Sequence, residues 1–245
     1  MAKKLNISNI PPKIVLDPVA QDEKRYIRCR VLIVCEGLKT EPNYFKSFSM
    51  MKNSSGLVYD VCCDGGSINT IQVVDKAIQL RDKAIADKKP YDSVWAVFDK
   101  DSFSPKDFNA AILKAQSNNI ECAWSNEAFE LWYIYHFDDR CTPMSRTKYE
   151  STITERVKAK GYTGKKAYVY KKNDSKMREI LSFCQCDEHI AINRAERQHN
   201  SFTNQKFHEH NPCTTVYKLV KLLIGEDKDF NKKIKKSIAN THKHK

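Results

Sequence analysis

The sequence predicts an α/β protein: a mostly parallel sheet flanked by helices, followed by a mainly helical, basic C-terminal part. Three observations carry that expectation. Short apolar runs alternate with stretches of helical periodicity, as βαβ units require. The most apolar run, VWAVF at 94–98, is bounded by polar residues on both sides, which suits a strand covered on both faces. Past Arg140 the apolar runs stop and the charge changes: residues 1–140 hold 19 Lys+Arg against 19 Asp+Glu, and residues 141–245 hold 23 against 11. The whole net charge of +12 therefore lies in the second part. An acidic site in a neutral part followed by a basic part suits an enzyme that works on a polyanion. Lysine-rich solubility would give the same balance.

Residues 1–25, with Pro11 and Pro12, read as an irregular lead-in to an α/β core over 26–140. The run YIRCRVLIVC at 26–35 is the first strand and ends at Glu36-Gly37. Thr40 is expected to cap a helix running to about Met51, with Glu41 and Pro42 in its first turn. A strand over 57–63 closes at Asp64-Gly65-Gly66, and Asn69 or Thr70 caps a helix to about Lys88. After the 94–98 strand, Ser104-Pro105-Lys106-Asp107 resembles a capping box with Pro at N1. Residues 120–124 form the fourth strand. Ser125-Asn126 is then expected to cap a strongly apolar helix, SNEAFELWYIYHF, with Glu127 and Glu130 on one face.

Residues 141–229 read as a helical basic subdomain. Helices are expected over 147–159, from an Asn173 cap to about Phe183, over 187–198, and over 214–224, where Gly225 stops the last of these. Past Asp229 no acid occurs, and Lys232, Lys233, Lys235, Lys236, Lys243 and Lys245 read as a disordered basic tail over 230–245.

No run approaches the roughly 18 apolar residues of a membrane span, and the N-terminus lacks the apolar region of a signal peptide. The expected setting is cytoplasmic, and the nine cysteines are expected to be reduced thiols. Asp64-Gly65-Gly66 fits neither a Walker A nor a GxGxxG loop, so no ATP hydrolysis is expected, and nucleophilic Cys/His catalysis has no local signature.

Glu36, Asp99 and Asp101 form the candidate site. Ligands in open α/β sheets bind beyond the carboxyl ends of the strands, and residues at i and i+2 can point their carboxylates the same way. Carboxylates held close repel unless a cation or proton sits between them. Mg²⁺, or Mn²⁺, suits such oxygen ligands and would help a phosphodiester react. A solvated turn would explain the same DKD. Glu130, embedded among Phe129, Leu131 and Trp132, is a secondary candidate because a buried acid needs a partner. Lys165, Lys166, Lys171, Lys172 and Arg178, near Tyr162, Tyr168 and Tyr170, suit phosphate pairing with base stacking on looped or single-stranded nucleic acid. Core tyrosines beside a solvated turn are the plain alternative. Cys184, Cys186, His189, His199, His208, His210 and Cys213 crowd one region, an imperfect match to the paired spacing of structural zinc.

The motifs VLIVCEGLKTEPNYF, YDSVWAVFDKDSF, SNEAFELWYIYHF and NPCTTVYKLV together resemble the RloB family, a Toprim-like group of bacterial antiphage and abortive-infection loci. The resemblance spans roughly residues 31–222. It implies a Toprim-like fold, with Glu36 as general base or metal ligand and Asp99 and Asp101 as metal ligands for phosphodiester chemistry. It also implies an ABC-type ATPase partner encoded nearby. Leu38 departs from the small or polar residue expected there. The resulting expectation is an Mg²⁺-dependent endonuclease cutting RNA, perhaps tRNA, or DNA. A non-catalytic nucleic-acid-binding or regulatory subunit of a defence complex is the alternative, and a nucleotidyl transferase or primase-like enzyme is a third.

Overall fold

A computed structural model describes residues 27–49, 53–66, 69–101, 103–163 and 167–243. Four parallel strands alternate with helices: β1 (Ile27–Cys35), α1 (Thr40–Lys46), β2 (Leu57–Asp64), α2 (Thr70–Ala86), β3 (Ser93–Asp99), α3 (Pro105–Ser117) and β4 (Glu121–Asn126). A short fifth strand, β5 (Cys213–Thr214), pairs antiparallel with β4, giving the order β2-β1-β3-β4-β5. All four parallel strands point their carboxyl ends to one edge of the sheet.

The alternation along β1 explains why the sheet is buried on both faces. Cys29, Val31, Ile33 and Cys35 enter one apolar cluster, while Leu32 and Val34 enter another with β3 residues Val94, Ala96 and Phe98. Helices α2 and α3 cover the second face through Val73, Val74, Ala77, Phe108, Ala111 and Ile112. The first face is covered by α1 and by the helices that follow β4: α4 (Glu130–Phe137), α5 (Tyr149–Ala159), α6 (Met177–Phe183), α7 (Glu188–Asn200) and α8 (Val216–Ile224). The last helix is α9 (Lys228–Lys243).

Local signals hold where they are strongest. Asn69 caps α2 by accepting from the Gln72 N–H at 2.9 Å, and Ser104 caps α3 by accepting from Asp107 at 3.0 Å. Gly225, at φ +87°, ends α8 in the left-handed conformation that glycine adopts freely.

Five readings are corrected. Thr40 does not cap α1; it is the first helical residue, and its hydroxyl donates to the Lys172 carbonyl at 2.7 Å. Helix α1 ends at Lys46, and the expected end at Met51 falls outside the described residues. Ser125-Asn126 does not start the apolar helix, because both residues are held in β4 by Thr214 and Cys213, and α4 begins at Glu130. The basic tail is helical over its described residues, 230–243, where Ile234 and Asn231 are buried and Phe230 packs on the core. Asn173 likewise does not cap α6, which begins at Met177.

All nine cysteines are free. Among the described residues, no helix is long and apolar enough to cross a membrane.

Candidate acidic site at the carboxyl edge of the sheet

The end of β1 and the end of β3 are tied together by backbone. The Glu36 N–H donates to the Val97 carbonyl at 2.9 Å, and Glu36 Oε2 accepts from the Asp99 N–H at 3.3 Å. Asp99 Oδ2 in turn accepts from the Phe129 N–H at 3.0 Å, which fixes the approach to α4. Asp101 lies just beyond, at φ +36°, its N–H bonded to the Glu127 carbonyl at 3.2 Å and its carboxylate paired with Arg146. Positive φ is uncommon outside glycine, and aspartate tolerates it better than most residues.

Two further carboxylates join these three. Glu41, in the first turn of α1, is buried, with backbone N–H groups of Gly37 and of Glu41 itself on its carboxylate. Glu130 is 2% exposed; it accepts from the Tyr170 hydroxyl at 3.2 Å and stands 3.6 Å from Lys172 Nζ. All five acids line one cavity of about 420 Å³, together with Gly37, Leu38, Phe129, Arg146 and Lys172.

Glycine at position 37 is a spatial requirement, because a Cβ there would stand 2.4 Å from Glu41 Oε2. Gly65 meets a harder obstacle, since its Cβ would lie 2.4 Å from the Gly37 carbonyl oxygen. The two turns are therefore packed backbone to backbone beside the acids.

Electrostatics follow from this crowding. Burial pushes the Asp99 carboxyl well above its usual range, and repulsion from Glu41, Glu130 and Glu36 adds to the rise against the Phe129 N–H. Glu36 is raised to about 7, chiefly by burial and also by Glu41, against the opposing pull of the Asp99 N–H and Arg146. Burial also raises Glu41, reinforced by Glu130 and opposed by the two N–H groups and by Lys172. Five carboxylates against Lys39, Arg146 and Lys172 leave an excess of negative charge, which protons or a cation must offset.

The donor set fits Mg²⁺: it is all oxygen, crowded and short of positive charge. Among the described residues, no three His, Cys, Asp or Glu side chains are already closed around a single point. Asp101 is turned to Arg146 instead, and an ion that keeps several waters needs only one or two direct carboxylates.

The structure brings Glu36, Asp99, Asp101 and Glu130 together and adds three residues that the sequence reading gave no such place. Glu41 reads in sequence as a first-turn charge, although a second glutamate five residues after Glu36 is a usable signal. Arg146 carries no local signal. Lys172, read as part of a basic stretch, faces the acids instead.

The rest of that stretch is dispersed. Lys171 is exposed, while Lys165 and Lys166 lie outside the described residues. Arg178 forks onto Glu188 at 2.9 and 3.4 Å and lies 3.8 Å over the Phe48 ring. Tyr170 is buried, so it cannot stack on a base, and Tyr162 and Tyr168 pack edge to face on each other. The Cys/His-rich stretch is also spread out: His189 pairs with Asp187 and Glu226, His199 with Tyr217, His208 with Asn109 and His210 with Asn204.

Compared with known proteins, residues 31–223 match the model of a family described as RloB-like protein. No curated protein and no solved structure matches the chain.

Proposed function

The chain belongs to the RloB-like family, and from that premise we propose that it is a Toprim-type, Mg²⁺-dependent nuclease that cleaves phosphodiester bonds in RNA or DNA. The observation that supports this reading is the meeting of Glu36, Asp99, Asp101, Glu41 and Glu130 in one cavity beyond the carboxyl ends of β1 and β3. Asp99 and Asp101, with Glu36, would hold the ion. When bound, Mg²⁺ would polarise the scissile phosphate and stabilise the leaving oxygen. Glu36 would take the proton of the attacking water. Lys172 and Arg146, two of the three cations lining the cavity with Lys39, would bind non-bridging phosphate oxygens and orient the phosphodiester. Glu130, held by Tyr170 and Lys172, would position Lys172 rather than react.

A role as antiphage effector, with an ABC-type ATPase as partner and a cytoplasmic setting, extends this proposal on the family resemblance alone.

The test uses the purified full chain with Mg²⁺ or Mn²⁺ and labelled tRNA and plasmid. Cleavage that EDTA stops and Asp99→Ala abolishes is the expected result. Binding without cleavage, unchanged in Glu36→Ala, would replace the nuclease with a nucleic-acid-binding or regulatory subunit. Incorporation of labelled nucleoside triphosphates would replace it with a transferase.

A further inference from the structure

We propose that the exposed lysine face of α9 is a second nucleic-acid-binding site, which takes the phosphate backbone of a polynucleotide at the amino edge of the sheet, away from the acidic cavity.

The helix is fixed in place, so its lysines are presented by a rigid element. Asp227 accepts from the Phe230 N–H at 2.9 Å, Asn231 donates to the Gly225 carbonyl at 2.8 Å, and Phe230 stacks on Tyr59 at 6.4 Å. Asn231 and Ile234 are buried beneath it. Tyr59 sits near the start of β2, in register with Cys29 of β1. At about 3.3 Å per residue, this docking point lies roughly 20–25 Å along the strand from Glu36.

On the side turned from the core, Lys228, Lys232, Lys235 and Lys236 fall at i, i+4, i+7 and i+8, and Lys233 flanks them. Residues at that spacing share one face of a helix. All five are exposed, and none makes an ion pair among the described residues. Asp229 is the sole acid of the helix. Lys228–Lys232 and Lys232–Lys236 are like-charge pairs at i,i+4, each of which costs helix stability. A row of phosphates would turn that repulsion into attraction.

The cavity, by contrast, carries five carboxylates against three cations, so without a metal ion it attracts the substrate of the proposed reaction poorly. A long polyanion needs further cations outside it, and α9 supplies them: acids lie only toward its first turn, at Glu226, Asp227 and Asp229, beside Lys228 and Lys233. This binding does not depend on catalysis, and it is read separately from cleavage.

The experiment measures anisotropy of fluorescein-labelled RNA and duplex DNA of about 20 nucleotides or base pairs, without divalent ions, across a salt series. Lys232→Glu/Lys235→Glu/Lys236→Glu is expected to weaken binding at least tenfold and to lower the slope of log K against log salt by about 2–3. Lys83→Glu/Lys106→Glu/Lys158→Glu, an equal charge change on scattered exposed lysines, is expected to leave affinity within about threefold. Circular dichroism checks that both variants stay folded. Equal weakening by the two variants would reduce the effect to net charge and overturn the site. Retention of labelled polyglutamate on α9, with no retention of either oligonucleotide, would overturn it in favour of an acidic protein partner.

Discussion

Replacing Glu36 by glutamine is expected to stabilise the fold above neutral pH while abolishing cleavage. Burial raises this carboxyl from its ordinary 4.5 to about 7, so the folded chain keeps a proton that the unfolded chain has already released. That stability is complete below pH 4.5 and is lost as pH rises through about 7. The rise corresponds to about 3 kcal/mol at most, and solvent screening of a partly exposed group reduces it to about 1–2 kcal/mol. Glutamine never ionises and still offers an oxygen to the Asp99 N–H. For a chain of this size the expected gain in Tm is about 2–8 °C at pH 8 and none near pH 4. Scanning calorimetry of both proteins across that range reads it directly. Addition of Mg²⁺ is expected to raise the Tm of the native chain at pH 8 and to close the gap, because a ligand that binds only the folded state stabilises it. A variant less stable than the native chain at pH 8, or a gap unchanged in acid, would refute the account of a cavity strained by its own charge.

Further outcomes follow from the same geometry. Gly37→Ala is expected to change unfolding stability by no more than about 1 kcal/mol but to cut Mg²⁺-dependent cleavage tenfold or more, since the nearest atoms the intruding Cβ meets are the Glu41 carboxylate's, at the end of a side chain. Gly65→Ala, which strikes the Gly37 backbone, is expected to cost about 1–3 kcal/mol in urea unfolding. Arg146→Ala frees Asp101, so titration calorimetry is expected to find tighter Mg²⁺ binding while kcat falls. Tyr170→Phe removes a donor from buried Glu130 and is expected to destabilise the chain by about 1–3 kcal/mol.

What was legible in the sequence was mostly local. The apolar runs of β1 and β3 and the acids that end them fixed the sheet edge and three of the five carboxylates, because period, burial and strand ends all lie within a few residues. Asn69 and Ser104 were legible for the same reason, as caps that act over three residues. The misreadings depend on partners far along the chain. Ser125 and Asn126 look like a helix cap until Thr214 and Cys213 claim them as strand. Thr40 looks like another cap until the Lys172 carbonyl takes its hydroxyl. The lysines of α9 suggest disorder until Ile234 and Phe230 find the core. Arg146 was invisible because its pairing with Asp101 comes from a turn between helices, with no periodicity to mark it.

The pairing of β4 with β5 also sets an order of events during synthesis. Ser125 bonds to Thr214, 89 residues further along, so while the chain is being made β4 keeps a bare edge long after its own residues have left the ribosome. The segment from Ser125 to Phe129, which holds the Asp99 and Asp101 loop, is paired with β3 on one side from the start, through Asp99 and Ser125, and gains its second edge when that late strand arrives.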